Sequence, residues 1–394
     1  MSRNKAITLL AVGHACVDIY QGAVAALIPF FVAERAYSYA AVSGIVLAAS
    51  LLSSVAQPVF GLLTDRRAMP WILPLSTVLG GLGIALSGLT GSYGLTLVFV
   101  AASGVGVAAY HPESARVARL VSGGSHSAMG WFSVGGNLGF AAAPLMVTGV
   151  VATGGLRLSP LLVLPALAGS TLCLPVLRAL ERTGEHGASG KAVEVGTDDK
   201  ASFVRLSLSV VLRSIEFIGL STFVSLYAQQ RMGGGTAAGT VALFVLYLGG
   251  ALGSVVGGSL AGRWDRVTVA RWSYVLTIPA IAGTVFVPGP AFYVFVALAS
   301  LALYVPFSLH VTLGQDYLPT RVGTASGITL GLTVSIGGMV TPLIGTIADA
   351  TSLRTALTPL IVLPALSWLL FRGLPEPTPP RRVLTAREAT GAAA

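Results

Sequence analysis

Charge is what this sequence has least of. Only 10% of its 394 residues are Asp, Glu, Lys or Arg, against about 25% in a soluble domain. A soluble chain of this length could not cover its surface with so few charges, so a soluble enzyme or scaffold is excluded. Cysteine is almost absent as well. Cys16 and Cys173 both lie in apolar stretches and offer neither a disulfide framework nor a metal-binding spacing. No run matches G-x-x-x-x-G-K-[ST], the loop that cradles the phosphates of ATP, and no cluster of metal-ligand residues stands out along the chain. No cofactor is therefore expected. What is abundant is apolar: 54% of residues are hydrophobic and the mean hydropathy is +0.80. The reading that fits is an all-α polytopic membrane protein, with lipid covering the apolar faces. The net charge of +9 does not point to nucleic acid, because the Lys and Arg residues sit in short loops between apolar spans.

A bilayer-spanning helix needs about 20 mostly apolar residues. Twelve segments qualify: 6–32, 38–63, 71–90, 94–118, 126–151, 157–179, 203–229, 237–261, 269–287, 290–313, 322–348 and 354–371. The opening "MSRNKAITLLAVG" has the basic start of a signal peptide. His14 and Asp18 interrupt its apolar core, however, and the stretch runs on to Phe31, too long for a cleaved signal. The polar, Gly-rich segment 181–202 reads as a linker between an N-terminal bundle, 1–180, and a C-terminal bundle, 203–372. The tail, 373–394, is Pro-rich and then polar, and is expected to be disordered. With both termini and the linker in the cytoplasm, 19 Lys and Arg residues fall on the inside and 4 on the outside, a bias that fixes the orientation.

The halves repeat. Asp18 stands 43 residues before Gly61 of "GLLTDRR", and Glu216 stands 42 before Gly258 of "GSLAGRWDR". His111 and His310 occupy matching places ahead of Gly130 and Gly327, at an offset near 198. Two six-helix halves in parallel repeat enclose a site near the midplane and rock about it.

"GLLTDRR", Gly61 to Arg67, resembles the signature between spans 2 and 3 of the major facilitator superfamily. The second-half copy departs from it, with Gly262 where the acid should stand. "YQGAVAALIPFFVAERAYSYA", "GLLTDRR" and "HPESARVA" together closely resemble the fosmidomycin resistance group of bacterial exporters. The resemblance covers nearly the whole chain. It implies twelve transmembrane helices in two pseudo-symmetric six-helix bundles, a monomer in the bacterial inner membrane, a small-molecule substrate and protons as partners, and drug efflux by antiport. It also implies a gate of Gly61, Asp65 and Arg66, in which Asp65 meets the start of span 11 around Gly323 to Ser326. A carboxylate there faces the positive end of a helix dipole and would close the inner gate.

Charges inside the spans carry the chemistry. A charged group at mid-bilayer costs about 2.5–3.5 kcal/mol even on the lenient insertion scale. Asp18 lies about twelve residues into span 1, roughly 18 Å at 1.5 Å per residue, and Glu216 is equally deep in span 7. Both are expected to face the central cavity or a partner, and burial disfavours the charged form of a carboxylate, as a proton carrier requires. His14 precedes Asp18 by one turn, and Gln21 follows it on the same face. Arg213 is one turn before Glu216, and a closed pair would make Glu216 structural. Asp18, with only His14 beside it, is the first choice for proton coupling.

"YHPESARVARL", Tyr110 to Leu120, ends an apolar run of fifteen residues. Pro112 bends the helix. Glu113 and Arg116 are spaced to pair, yet Arg116 could instead receive an anionic substrate from the cytoplasm, since guanidinium binds carboxylate or phosphonate as a fork. The expected substrate contacts are His111, Glu113, Arg116, Arg213, His310 and Gln21. The expected function is proton-coupled export of small drugs or anionic metabolites by alternating access. A proton symporter importing a small organic anion would use the same groups. A membrane enzyme with acid–base residues is the rival outside transport, and the internal repeat argues against it.

Overall fold

The computed structural model describes residues 2–123, 125–183 and 197–377; most of the linker, the tail beyond 377 and the Asp65 side chain lie outside the described residues. Every regular element among them is helical. The first half contains α1 (Arg3–Arg35), α2 (Tyr39–Arg66), α3 (Ile72–Ser87), α4 (Tyr93–Ser122), α5 (His126–Gly154) and α6 (Leu164–Thr183), the last entered through a 3-10 segment, Leu156–Val163. The second half contains α7 (Lys200–Met232), α8 (Gly235–Ala261), α9 (Arg266–Phe286), α10 (Ala291–Tyr304), α11 (Phe307–Tyr317), α12 (Val322–Gly327), α13 (Thr333–Ala350), α14 (Leu353–Leu357) and α15 (Leu363–Arg372). Among the described residues, nine segments are long and apolar enough to cross a membrane. With the shorter α3, with α7, and with α12 and α13 joined through a π-helical turn at Ile328–Leu332, the order is compatible with twelve spans. Side chains such as Val98, Trp131, Val255 and Trp272 lie more than half exposed, a surface suited to lipid.

Small residues set the packing. In "GGNLGF" of α5, a Cβ on Gly135 or Gly139 would overlap the α1 backbone at Ala11 or Ala15, so α1 and α5 pack backbone to backbone. Between the halves, α2 packs on α13 and α5 on α8. The α2–α13 seam is tight at one end only. A Cβ on Gly345 would press on Tyr39 and Ser43, and one on Gly338 on Ser50. At Gly331 the nearest atom is the Ser54 carbonyl oxygen at 3.7 Å, and at Gly327, Gly323 and Gly61 nothing lies within 4 Å.

The buried pattern of the two central helices agrees. Every residue of α1 from Gly22 to Phe31 is buried, as is every residue of α7 from Ile218 to Ala228. A helix apolar all round and buried all round lies in a core. Toward the end that carries the start of α1 and of α7 the burial breaks up, with Val12, Val204 and Leu208 exposed. The halves are therefore sealed at the end where α2 begins and parted at the end where α1 and α7 begin.

Two expectations change in detail. The tail was expected to be disordered from Gly373, but residues through Glu376 are strapped to the second bundle. Arg266 bonds Asp316 and Glu376, both at 2.6 Å, Glu376 also accepts the Val267 N–H, and Tyr317 donates to the Pro375 carbonyl. Span 10, expected over 290–313, is found as the single apolar segment Ala291–Tyr317, interrupted at Val305 and Pro306 between α10 and α11, because Pro306 has no N–H to continue the ladder.

Candidate functional site

In the first half, α1 and α4 bring three expected residues together. Asp18 Oδ2 lies 3.3 Å from His14 Nε2, and Asp18 Oδ1 lies 3.1 Å from His111 Nε2. The His14–Asp18 pairing follows from the one-turn spacing on α1. The contact with His111, on another helix, adds a partner that the local spacing on α1 does not offer. Each imidazole is anchored through its other nitrogen: His14 Nδ1 donates to the Phe132 carbonyl at 2.9 Å, and His111 Nδ1 to the Val107 carbonyl at 2.7 Å. The His14 ring stacks on Phe132, centroids 4.3 Å apart. No metal-ligand cluster stands out along the chain, yet the fold brings the ligand atoms of His14, Asp18 and His111 within 4.8 Å of one another. Gln21, exposed amid buried neighbours in α1, sits one turn beyond Asp18.

Glu113 and Arg116 close on each other. Arg116 Nε donates to Glu113 Oε2 at 2.9 Å and Nη2 to Oε1 at 2.5 Å, a bidentate fork on a carboxylate with no exposure. The fork that the spacing offered to a substrate is occupied by Glu113 in this conformation.

The second half is built differently. Arg213 of α7 is buried against the rings of Phe307 and Tyr304, 5.1 and 5.8 Å from their centroids, and its Nε has no hydrogen-bond partner. Glu216, one turn on, is fully buried, and neither carboxyl oxygen has a hydrogen-bond partner. No Arg213–Glu216 ion pair forms among the described residues, so the closed pair that the spacing allowed is not made. His310 of α11 lies apart from His111. Its Nε2 meets the Tyr274 hydroxyl at 3.0 Å, and that hydroxyl accepts from Ser209 at 2.8 Å.

At the parted end, Gly61 is uncrowded and Arg66 is exposed, while the Asp65 side chain lies outside the described residues. Asp349 at the sealed end was missed. Its Oδ1 accepts the Tyr39 N–H at 2.8 Å and its Oδ2 the Ala40 N–H at 2.9 Å. Two further links join the halves there: Gln230 Nε2 donates to the Tyr39 hydroxyl at 2.7 Å, and the Thr148 and Thr240 hydroxyls meet at 2.6 Å. A signal existed in the sequence. Two antiparallel helices present one N-terminus at each end of their seam, and an acid closes the α13 stretch "GTIADA".

A twelve-span pattern in two helical bundles, sealed at one end and lined by buried ionisable groups, defines a membrane transporter. The family description "Major Facilitator Superfamily" matches residues 10–342, and the chain belongs to that family. It is a transporter and not an enzyme. It is 30% identical over 374 residues to the fosmidomycin resistance protein of Escherichia coli K12, covering 91% of this chain and 90% of that one. It is 26% identical to the uncharacterized MFS-type transporter YfnC of Bacillus subtilis 168, covering 93% and 91%. Among solved structures, the fold resembles a bacterial homolog of the human lysosomal transporter Spinster in an inward-facing and occupied conformation, with TM-score 0.78, 15% identity and coverage of 94% and 96%. It also resembles the nucleoside transporter NupG, with TM-score 0.74, 13% identity and coverage of 94% and 98%.

Proposed function

We propose that this protein is a proton-coupled exporter of small drugs or anionic metabolites, working by alternating access across a bacterial inner membrane, with its termini in the cytoplasm. The observation that carries the reading is Glu216, a fully buried carboxyl with no partner for either oxygen. An uncompensated charge there costs several kcal/mol, so the group is suited to hold a proton in one state and release it in another, where water or Arg213 reaches it. Asp18, between His14 and His111, is the proposed proton-coupling group of the first half. The Lys/Arg bias orients the parted end toward the cytoplasm, the side from which an exporter loads. Similarity to a fosmidomycin resistance protein over nine-tenths of the chain supports export of a phosphonate drug. His111, Gln21, Arg213 and His310 are the proposed substrate contacts.

Import by symport is favoured by one geometry. Arg213 lies one turn from Glu216, so charging Glu216 would offset the guanidinium, and a proton and an anion would load together. Reconstituted protein separates the two. With a pH dye inside proteoliposomes and fosmidomycin added outside, export by antiport and import by symport move the internal pH in opposite directions. No drug-dependent pH change in either orientation would rule out both.

A further inference from the structure

We propose that His14, Asp18 and His111 form a binding site for one divalent transition-metal ion of the zinc, cobalt or nickel class. The inference rests on geometry alone and does not depend on what the transporter carries.

A carbonyl oxygen can only accept, so the contacts to Phe132 and Val107 place a proton on Nδ1 of both rings. Each ring therefore turns its Nε2 toward the same carboxylate, where it can hold a proton against Asp18 or give a lone pair to a metal ion. The positive partner this carboxylate calls for is either those protons or one ion that takes their place. The arrangement matches what metal-binding histidines show, with the non-ligating N–H fixed by a backbone carbonyl so that the ligating nitrogen has one tautomer and one direction. Outside this cluster neither His14 Nε2 nor Asp18 Oδ1 has a hydrogen-bond partner.

The spacing suits an ion. Ligands about 2.0–2.2 Å from a metal lie roughly 3–3.5 Å from one another; His14 Nε2 and His111 Nε2 lie 3.3 and 3.1 Å from the two oxygens of Asp18, and one ligand atom from each residue lies within 4.8 Å of the others. From the α5 side only a glycine lets these side chains keep their places, since a Cβ on Gly136 would come within 2.7 Å of His14 Nε2 and 2.5 Å of Asp18 Oδ2. Two imidazoles and one carboxylate favour zinc, cobalt or nickel over magnesium or calcium, which take oxygen ligands. Three protein ligands leave a coordination position open, and the His111 side chain, 28% exposed, leaves a way in.

The test uses the full chain, purified in detergent with any polyhistidine tag removed. Co²⁺ is titrated while ligand-field absorption is followed, and Zn²⁺ binding is measured by calorimetry. One equivalent is expected, with new visible bands, and Zn²⁺ is expected to raise the Tm. His14→Gln and His111→Gln each remove a ligand, and each should weaken binding by at least the roughly 10- to 100-fold lost with an outer partner. His310→Gln, in the other half, should leave it unchanged. Absence of saturable one-equivalent binding to the wild-type protein would overturn the site, and so would binding that survives both first-half variants in folded form.

Discussion

The carboxylate of Asp349, at the end of α13, accepts the backbone N–H groups of Tyr39 and Ala40, which open α2 in the other half of the molecule. Ser38 Oγ accepts the Ala41 N–H and the Ser38 carbonyl accepts that of Val42. The N–H groups of Tyr39, Ala40 and Ala41, which have no acceptor within the helix, are thus all bonded, two of them across the seam, before the Ser38 carbonyl takes the first helical bond from Val42. The seal at this end is made by a helix cap that belongs to the opposite bundle.

Asp349→Ala should therefore release the sealed end. Losing a cap costs about 0.5–2 kcal/mol, roughly a 2- to 30-fold change in the balance of conformations. Spin labels at Ala152 and Thr351, on the two halves at that end, should show a longer-distance population growing in the variant. An unchanged distance distribution would mean that the glycine-packed seam alone holds the end shut.

Arg116→Ala should unfold the protein more easily without altering charge selectivity. The variant leaves Glu113 buried and unpaired, which costs about 3–5 kcal/mol. Adding Glu113→Gln should restore much of the lost Tm, since the charge goes with its partner. A selective loss of affinity for an anionic ligand over a neutral one of similar size, with Tm retained, would return Arg116 to the substrate.

At the water-exposed end, the Ser202 N–H holds the Asp199 carboxyl below the ordinary carboxylate range, and the Thr320 hydroxyl does the same for Asp198. A lowered folded-state value stabilises the protein above the unfolded value of about 3.9, and that contribution is lost as pH falls below it. The Tm of the purified protein should drop on acidification through that range. Asp199→Asn should flatten part of the drop, and a variant as acid-sensitive as the wild type would show that the α7 cap is not a source of it.

Much of the fold was legible because its causes are local. Charge scarcity, span lengths and the Lys/Arg bias follow from the transfer cost of single residues, and the 198-residue offset exposes the repeat. The one-turn pairs His14–Asp18 and Glu113–Arg116 follow from helix geometry. What could not be read depends on distant packing. Asp18 meets His111 only because α1 and α4 lie side by side. Asp349 caps α2 from 310 residues away. The order up to Glu376 depends on Arg266, which the sequence presented as a loop charge in a degenerate motif. The open Arg213–Glu216 pair turns on the aromatic rings of Tyr304 and Phe307, which draw the guanidinium aside.

Coupling through Glu216 is best judged in proteoliposomes carrying an imposed pH gradient, where fosmidomycin movement and internal pH are followed together in wild type and Glu216→Gln. The amide keeps the shape of the carboxyl but cannot carry a proton on and off. The wild type should accumulate drug against its concentration with matching proton flux. The variant should stay folded, exchange drug across the membrane at equal concentrations, and fail to accumulate it. Undiminished gradient-driven accumulation by Glu216→Gln, with the same proton flux, would contradict the coupling assigned to this residue.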